Sequence, residues 1–183
     1  MYPIKQEHWD RYRHAVLDHG LNVAVLVIAR QLLPGGFDVS EDAPETYNAL
    51  VRQFESGQRY IVYAGGSENT VFGDPEVNYH FRAWHDWCHW KGKHDFSFQG
   101  EHATYLMQCE HLVELYGNDE TTERWRRILF ADVIGQKLYF HRYRCFPENQ
   151  MEFVKQYLAR QAANVLSTSL GGVVESAHVT ASV

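Results

Sequence analysis

Twenty-one residues, Phe81 to Glu101 (FRAWHDWCHWKGKHDFSFQGE), gather His85, Asp86, His89, His94, Asp95 and Glu101 between Trp84, Trp87 and Trp90. If the stretch starts as a helix, His85 and His89 lie one turn apart on a single face. Two imidazoles at that spacing can hold a metal ion, and the indoles around them would keep bulk water away. Asp86 points about 100° from His85 on such a helix. It therefore joins the same ion only obliquely, and otherwise orients a ligand or pairs with Arg82. Glu101 opens the next element, with Tyr105 and Gln108 following on its face. There it serves the helix dipole, or acts as a third ligand, or as a general base beside the metal.

Further candidates lie along the chain. Asp132 and Gln136 sit four apart in the apolar run FADVIGQKLYF. A carboxylate in such a run is costly unless paired or coordinated. Asp132 is thus either the distant metal ligand or the partner of an arginine such as Arg82. Lys91, Lys93 and His94 form a charged loop, which is either a solvated run or a phosphate-contacting one. Arg82, Lys93, His94 and Gln136 are the candidate substrate-binding residues. Nothing near Cys88 is arranged to activate a thiol, so it reads as structural.

The totals limit the classes. A chain of 183 residues is one domain by length, and 45% hydrophobic with 14% aromatic residues is a globular composition. The net charge of -6 argues against stable nucleic-acid binding and against a membrane-surface protein. A nucleotide substrate remains compatible, since it needs only a local basic pocket. Three cysteines without paired spacing suit reduced thiols. The first residues lack a signal-peptide shape, and the longest apolar run, Leu21 to Ala29, is too short to span a bilayer. The expectation is a cytoplasmic protein without a membrane span.

The elements that must position these residues read as helices. One spans Gln6 to Leu33, with Trp9, Tyr12, Val16, Leu17, Leu21, Ala24, Val25 and Ile28 at three- and four-residue intervals and Pro34-Gly35-Gly36 as its stop. Phe37 to Pro44 reads as a polar connection, Glu45 to Gly57 as a short helix, and Arg59 to Gly66 as an extended piece. The HDWCH helix runs from Pro75 to Lys91, and a third long helix from Gly100 to Gly117. A fourth covers Glu120 to Arg144, and a fifth Glu148 to Leu166. The fold expected is all-α, a single domain of five or six helices over residues 1–166, with 167–183 as a flexible tail.

Two resemblances follow. The tract HGLNVAVLVIARQL from His19 resembles the first helix of HD-domain phosphohydrolases, and WHDWCH from Trp84 resembles their HD dipeptide followed by a His. Gly100-Glu101 after a His-bearing loop is similar to the deoxynucleotide triphosphohydrolase branch. The resemblance implies His19, His85, Asp86 and Asp132 as ligands of one or two metal ions. The order His85-Asp86…His89, Asp95-Phe96, Gly100-Glu101, Asp132…Gly135-Gln136 also resembles uncharacterised proteins of bacteriophages and mobile elements. That implies a shared site, and a bacterial host's cytoplasm as the location.

The leading expectation is a metal-dependent phosphohydrolase acting on a nucleotide or small phosphorylated metabolite. His85, His89, Asp132 and Asp86 would hold a divalent zinc, manganese, nickel or iron ion, with Glu101 and Asp86 in catalytic roles. One alternative is a non-haem di-iron oxidase of helical-bundle type, although a clear pair of Glu-x-x-His elements is absent from the sequence. The other is a phage-type protein that binds a host component through an exposed HDWCHW surface, with a structural metal.

Overall fold

The computed structural model describes residues 16–178, with side chains through residue 164. Helix α1 spans His19–Leu32, α2 Tyr47–Glu55, α3 Pro75–Gly92 and α4 Phe98–Tyr116. Helix α5 (Glu120–Leu129) runs through a π-helical turn, Phe130–Gly135, into α6 (Gln136–Tyr143), and α7 spans Gln150–His178. Two four-residue strands, β1 (Phe37–Ser40) and β2 (Tyr60–Tyr63), pair in parallel with Phe37 opposite Tyr60, joined by α2 as the crossover. The fold is the compact, mostly helical one expected.

Helix α3 is wedged between two cores. Its Val77, Phe81, Trp84 and Cys88 recur at helical spacing and pack against Leu21, Val25 and Ile28 of α1, with Leu112 of α4 and Leu129 of α5 in the same cluster. Ala83 turns the other way, into a smaller cluster with Leu50, Tyr60 and Val62 under the sheet. Asp74 caps the start of α3 through the Glu76 amide at 2.9 Å, ahead of a proline at the first turn. Its end is set by Lys93, in left-handed backbone at φ 55°.

Four elements differ from the sequence reading. Helix α1 begins at His19, not near Gln6, because Asp18 is extended and caps it by accepting from the Leu21 amide at 3.0 Å. Trp9 and Tyr12 lie outside the described residues. Phe37–Ser40, read as a polar connection, is a strand because β2 supplies its hydrogen-bond partners, a tertiary condition that four residues do not announce. The Glu120-to-Arg144 helix carries the π turn. Helix α7 continues to His178, past the Leu166 end expected. No helix among the described residues is long and apolar enough to cross a membrane.

Asp18 ties α1 to α5. Its Oδ1 also accepts from Trp125 Nε1 at 3.1 Å, and its Oδ2 from Arg124 Nε at 2.8 Å. Asp18→Ala removes the cap and leaves the Trp125 donor without its partner, so the variant should lose about 2 kcal/mol of stability. Asp18→Asn keeps a capping oxygen and should lose about half of that. Urea denaturation measures both, and an alanine variant as stable as the parent would exclude this tie.

Candidate metal centre

His85 and His89 leave α3 on one face, as their spacing requires, and Glu101 meets them from the first turn of α4. The loop between the helices makes the meeting possible. Lys93 reverses the chain so that the His94 carbonyl accepts from His89 Nδ1 at 2.8 Å. Ser97 then caps α4 by accepting from the Gly100 amide at 3.2 Å. Gly100 is essential to this turn, because a Cβ there would stand 1.8 Å from the Asp95 carbonyl oxygen.

The three side chains converge on one point. Nε2 of His85 lies 3.0 Å from Nε2 of His89 and 3.2 Å from Glu101 Oε2, and His89 Nε2 lies 3.4 Å from the same oxygen. Ligand atoms about 2.0–2.1 Å from a tetrahedral ion lie about 3.3–3.4 Å apart, so these separations are close to those of ligands around a single ion. The outer nitrogens are engaged as well. His89 Nδ1 donates to the His94 carbonyl, and His85 Nδ1 faces Gln108 Oε1 at 3.2 Å, an acceptor. With each Nδ1 carrying the proton, both Nε2 atoms present lone pairs to each other and to a carboxylate, the arrangement that a metal ion would accept. With the proton on Nε2 instead, an imidazole donates to the Glu101 carboxylate. Among the described residues, His85, His89 and Glu101 are the group that could hold a metal ion.

The imidazoles and the carboxylate also set each other's charge. Burial alone would raise the Glu101 carboxyl, but bonds from His85 and His89 hold it far below the carboxylate range. Burial lowers the His85 imidazole, and the bond and charge of Glu101 outweigh it, so its pKa is raised. Glu101 Oε1, the oxygen turned from the histidines, is 2.9 Å from Lys137 Nζ.

His85 and Glu101 form part of the wall of a cleft of about 250 Å³, with Arg82, Asp86, Asp132, Gln136 and Lys137 also in its lining. Asp86 and Asp132, expected as ligands, line this cleft outside the three-residue group. The Asp86 carboxylate accepts from the Tyr60 hydroxyl, and burial raises its pKa. Asp132 is buried, accepts from Gln136 Nε2 at 2.7 Å, and is pushed up by burial to about 6. Arg82 is fastened to the loop after β2. Its Nη1 donates to the carbonyls of Tyr63 (2.7 Å) and Gly65 (2.6 Å), and Nη2 donates to that of Gly66 (3.3 Å).

Lys93 and His94 are not among the cleft residues: Lys93 caps α3, and the His94 ring faces Thr104. His19 lines a larger hollow elsewhere, beside Tyr105, Arg126 and Tyr157. Cys88 is buried, and burial raises its thiol pKa, as a structural role requires.

Three residues were missed as partners of the site. Gln108 was placed on the face of Glu101, and its bond to His85 was not foreseen. Tyr60 arrives from the sheet. Lys137 follows Asp132 by five residues, a spacing that an α-helix does not bring to one side. The π turn at Phe130–Gly135 covers the first part of this interval and shifts the helical phase there. A π turn has no dependable sequence sign.

Comparison with known proteins returns no match: no protein family fits the chain, and no curated protein or solved structure matches it.

The buried Asp132 carboxyl has a consequence for stability. The folded chain holds its proton up to about pH 6, whereas the unfolded chain releases it near pH 3.9. Between those values the folded state binds more protons, so stability falls as pH rises and is lower by about 3 kcal/mol above the window. Asp132→Asn removes this dependence. Urea denaturation of metal-free protein should find the variant's advantage over the parent growing by about 2 kcal/mol from pH 4 to 7.5. A difference that stays constant with pH would mean that Asp132 titrates as an ordinary carboxyl.

Proposed function

We propose that the chain is a metal-dependent hydrolase acting on a small phosphorylated molecule in the cleft beside His85 and Glu101. One observation carries the reading: two imidazole nitrogens and one carboxylate oxygen converge with their outer atoms already hydrogen-bonded. Three protein ligands of this kind leave positions on an ion for water and substrate, the pattern of catalytic zinc sites. His85, His89 and Glu101 would hold the ion, whose chemistry when bound would be to activate water near neutral pH.

The residues around the centre suit that chemistry. Asp132, with its pKa raised to about 6, can accept or return a proton near physiological pH. Gln136 fixes its orientation through the 2.7 Å bond. Arg82 lines the same cleft, and its three carbonyl bonds hold the guanidinium in place. Two of its five N–H donors, at Nε and Nη2, are left to meet phosphoryl oxygens. With Asp132 as proton acceptor, Glu101 is a ligand in this reading, and Asp86 shapes the cleft through its bond with Tyr60.

A second reading shares the ligand set. Two histidines and one carboxylate on one side of an ion also serve non-haem Fe(II) oxygenases. It needs one ion where the di-iron expectation needs two, and the converging group among the described residues offers three ligands. The binding-protein reading needs exposed tryptophans; Trp84 is fully buried, and Trp87 and Trp90 are each half-buried, Trp90 stacked on Phe54.

Elemental analysis of protein purified without chelator tests the proposal. About one divalent ion per chain is expected, lost in His85→Ala and in His89→Ala. With a generic phosphomonoester, Asp132→Asn should reduce kcat about 10²–10⁴-fold while keeping the ion. Iron with oxygen-dependent absorption changes would favour the oxygenase. Absence of any ion in the parent protein would sink both readings.

A further inference from the structure

We infer that Lys137 is a positioning residue that restricts Glu101 to a single coordinating oxygen, and so keeps a position on the metal ion open. This rests on the metal reading above and adds to it the control of coordination number.

A carboxylate near an ion can bind through one oxygen or close down on it with both, and the second mode fills a position that water or substrate would otherwise take. Here the two oxygens of Glu101 have different partners. Oε2 faces His85 Nε2 at 3.2 Å and His89 Nε2 at 3.4 Å. Oε1 is 2.9 Å from Lys137 Nζ. The ammonium is held on a second side, donating to the Phe96 carbonyl at 2.9 Å, so it does not simply follow the carboxylate. A charge-assisted bond of this kind is among the stronger hydrogen bonds. Swinging Oε1 toward the ion would break it and leave a half-buried ammonium facing a lone carbonyl.

The backbone is built to deliver this lysine. The π turn, Phe130–Gly135, contains Asp132 and ends two residues ahead of Lys137, and the proton acceptor and the clamp line the same cleft. Single π turns of this kind are frequent at functional sites. On the other side Glu101 is itself fixed, because Gly100 lets α4 start against the Asp95 carbonyl. The clamp thus joins α4, the α3–α4 loop and α6 around one carboxylate.

Cobalt(II) substituted into the protein reads coordination number directly, since low-coordinate cobalt absorbs visible light far more strongly than six-coordinate cobalt. The parent protein should give the intense spectrum. Lys137→Met should bind cobalt in the same ratio but absorb several-fold more weakly, because Glu101 then binds through both oxygens. Lys137→Arg, which keeps a charged donor, should restore much of the intensity. An unchanged spectrum in Lys137→Met would overturn the inference. Should that variant fail to fold, the infrared difference between zinc-loaded and metal-free parent protein decides the matter. A wide separation of the carboxylate stretches means one bound oxygen, and a narrow one overturns the inference. A parent protein that binds neither cobalt nor zinc overturns the metal reading itself, and this inference with it.

Discussion

Three polar atoms, His85 Nε2, His89 Nε2 and Glu101 Oε2, held within 3.4 Å of one another are what the rest of this site is arranged around. Unless an imidazole turns its proton inward or a cation sits among them, their lone pairs would repel, and in a site largely shut off from water little screening would relieve them. The surrounding fold supplies outward partners for each group. The His94 carbonyl holds one imidazole, Gln108 the other, and Lys137 the far oxygen of the carboxylate. These contacts turn all three atoms inward, the orientation that the ligands of a metal ion would need.

The same constraint accounts for features that look unrelated. Lys93 adopts left-handed backbone, which costs free energy in a non-glycine residue, and the return of the His94 carbonyl to His89 follows from it. The Gln108 amide nitrogen is buried without a partner while its oxygen faces His85. An orphaned N–H of this kind is tolerated where the acceptor role matters more than full satisfaction. The π turn interrupts an otherwise regular helix, and the residues it redirects, Asp132, Gln136 and Lys137, all line the cleft.

Around the centre, charge is set by burial. Three carboxylates, Asp86, Glu101 and Asp132, share one small cleft and are held differently. Glu101 has two imidazoles and an ammonium and stays ionised. Asp132 has an amide donor and the more distant charges of His85 and Arg82, so burial prevails and its pKa rises to about 6. Asp86 is raised as well, and is bonded to a buried tyrosine. Carboxyls whose environments differ this far can take different tasks in one site.

Much of the site could be read from residue order. The i,i+4 histidines share a face because helix geometry leaves no choice. Glu101 was a candidate because it opens the helix that follows the histidine-bearing loop. The mostly helical fold followed from three- and four-residue apolar spacing. Which carboxylate completes the group was beyond the sequence, since Glu101 and Asp132 are both placed plausibly in a linear reading. Only the packing of α4 on α3 separates them. Lys137 needed the π turn, Tyr60 needed the parallel strand pair, and Gln108 needed the approach of two helices. Local periodicity is written in neighbouring residues. Convergence of side chains from distant segments is decided by how the helices pack, and there tertiary structure alone selects the partners.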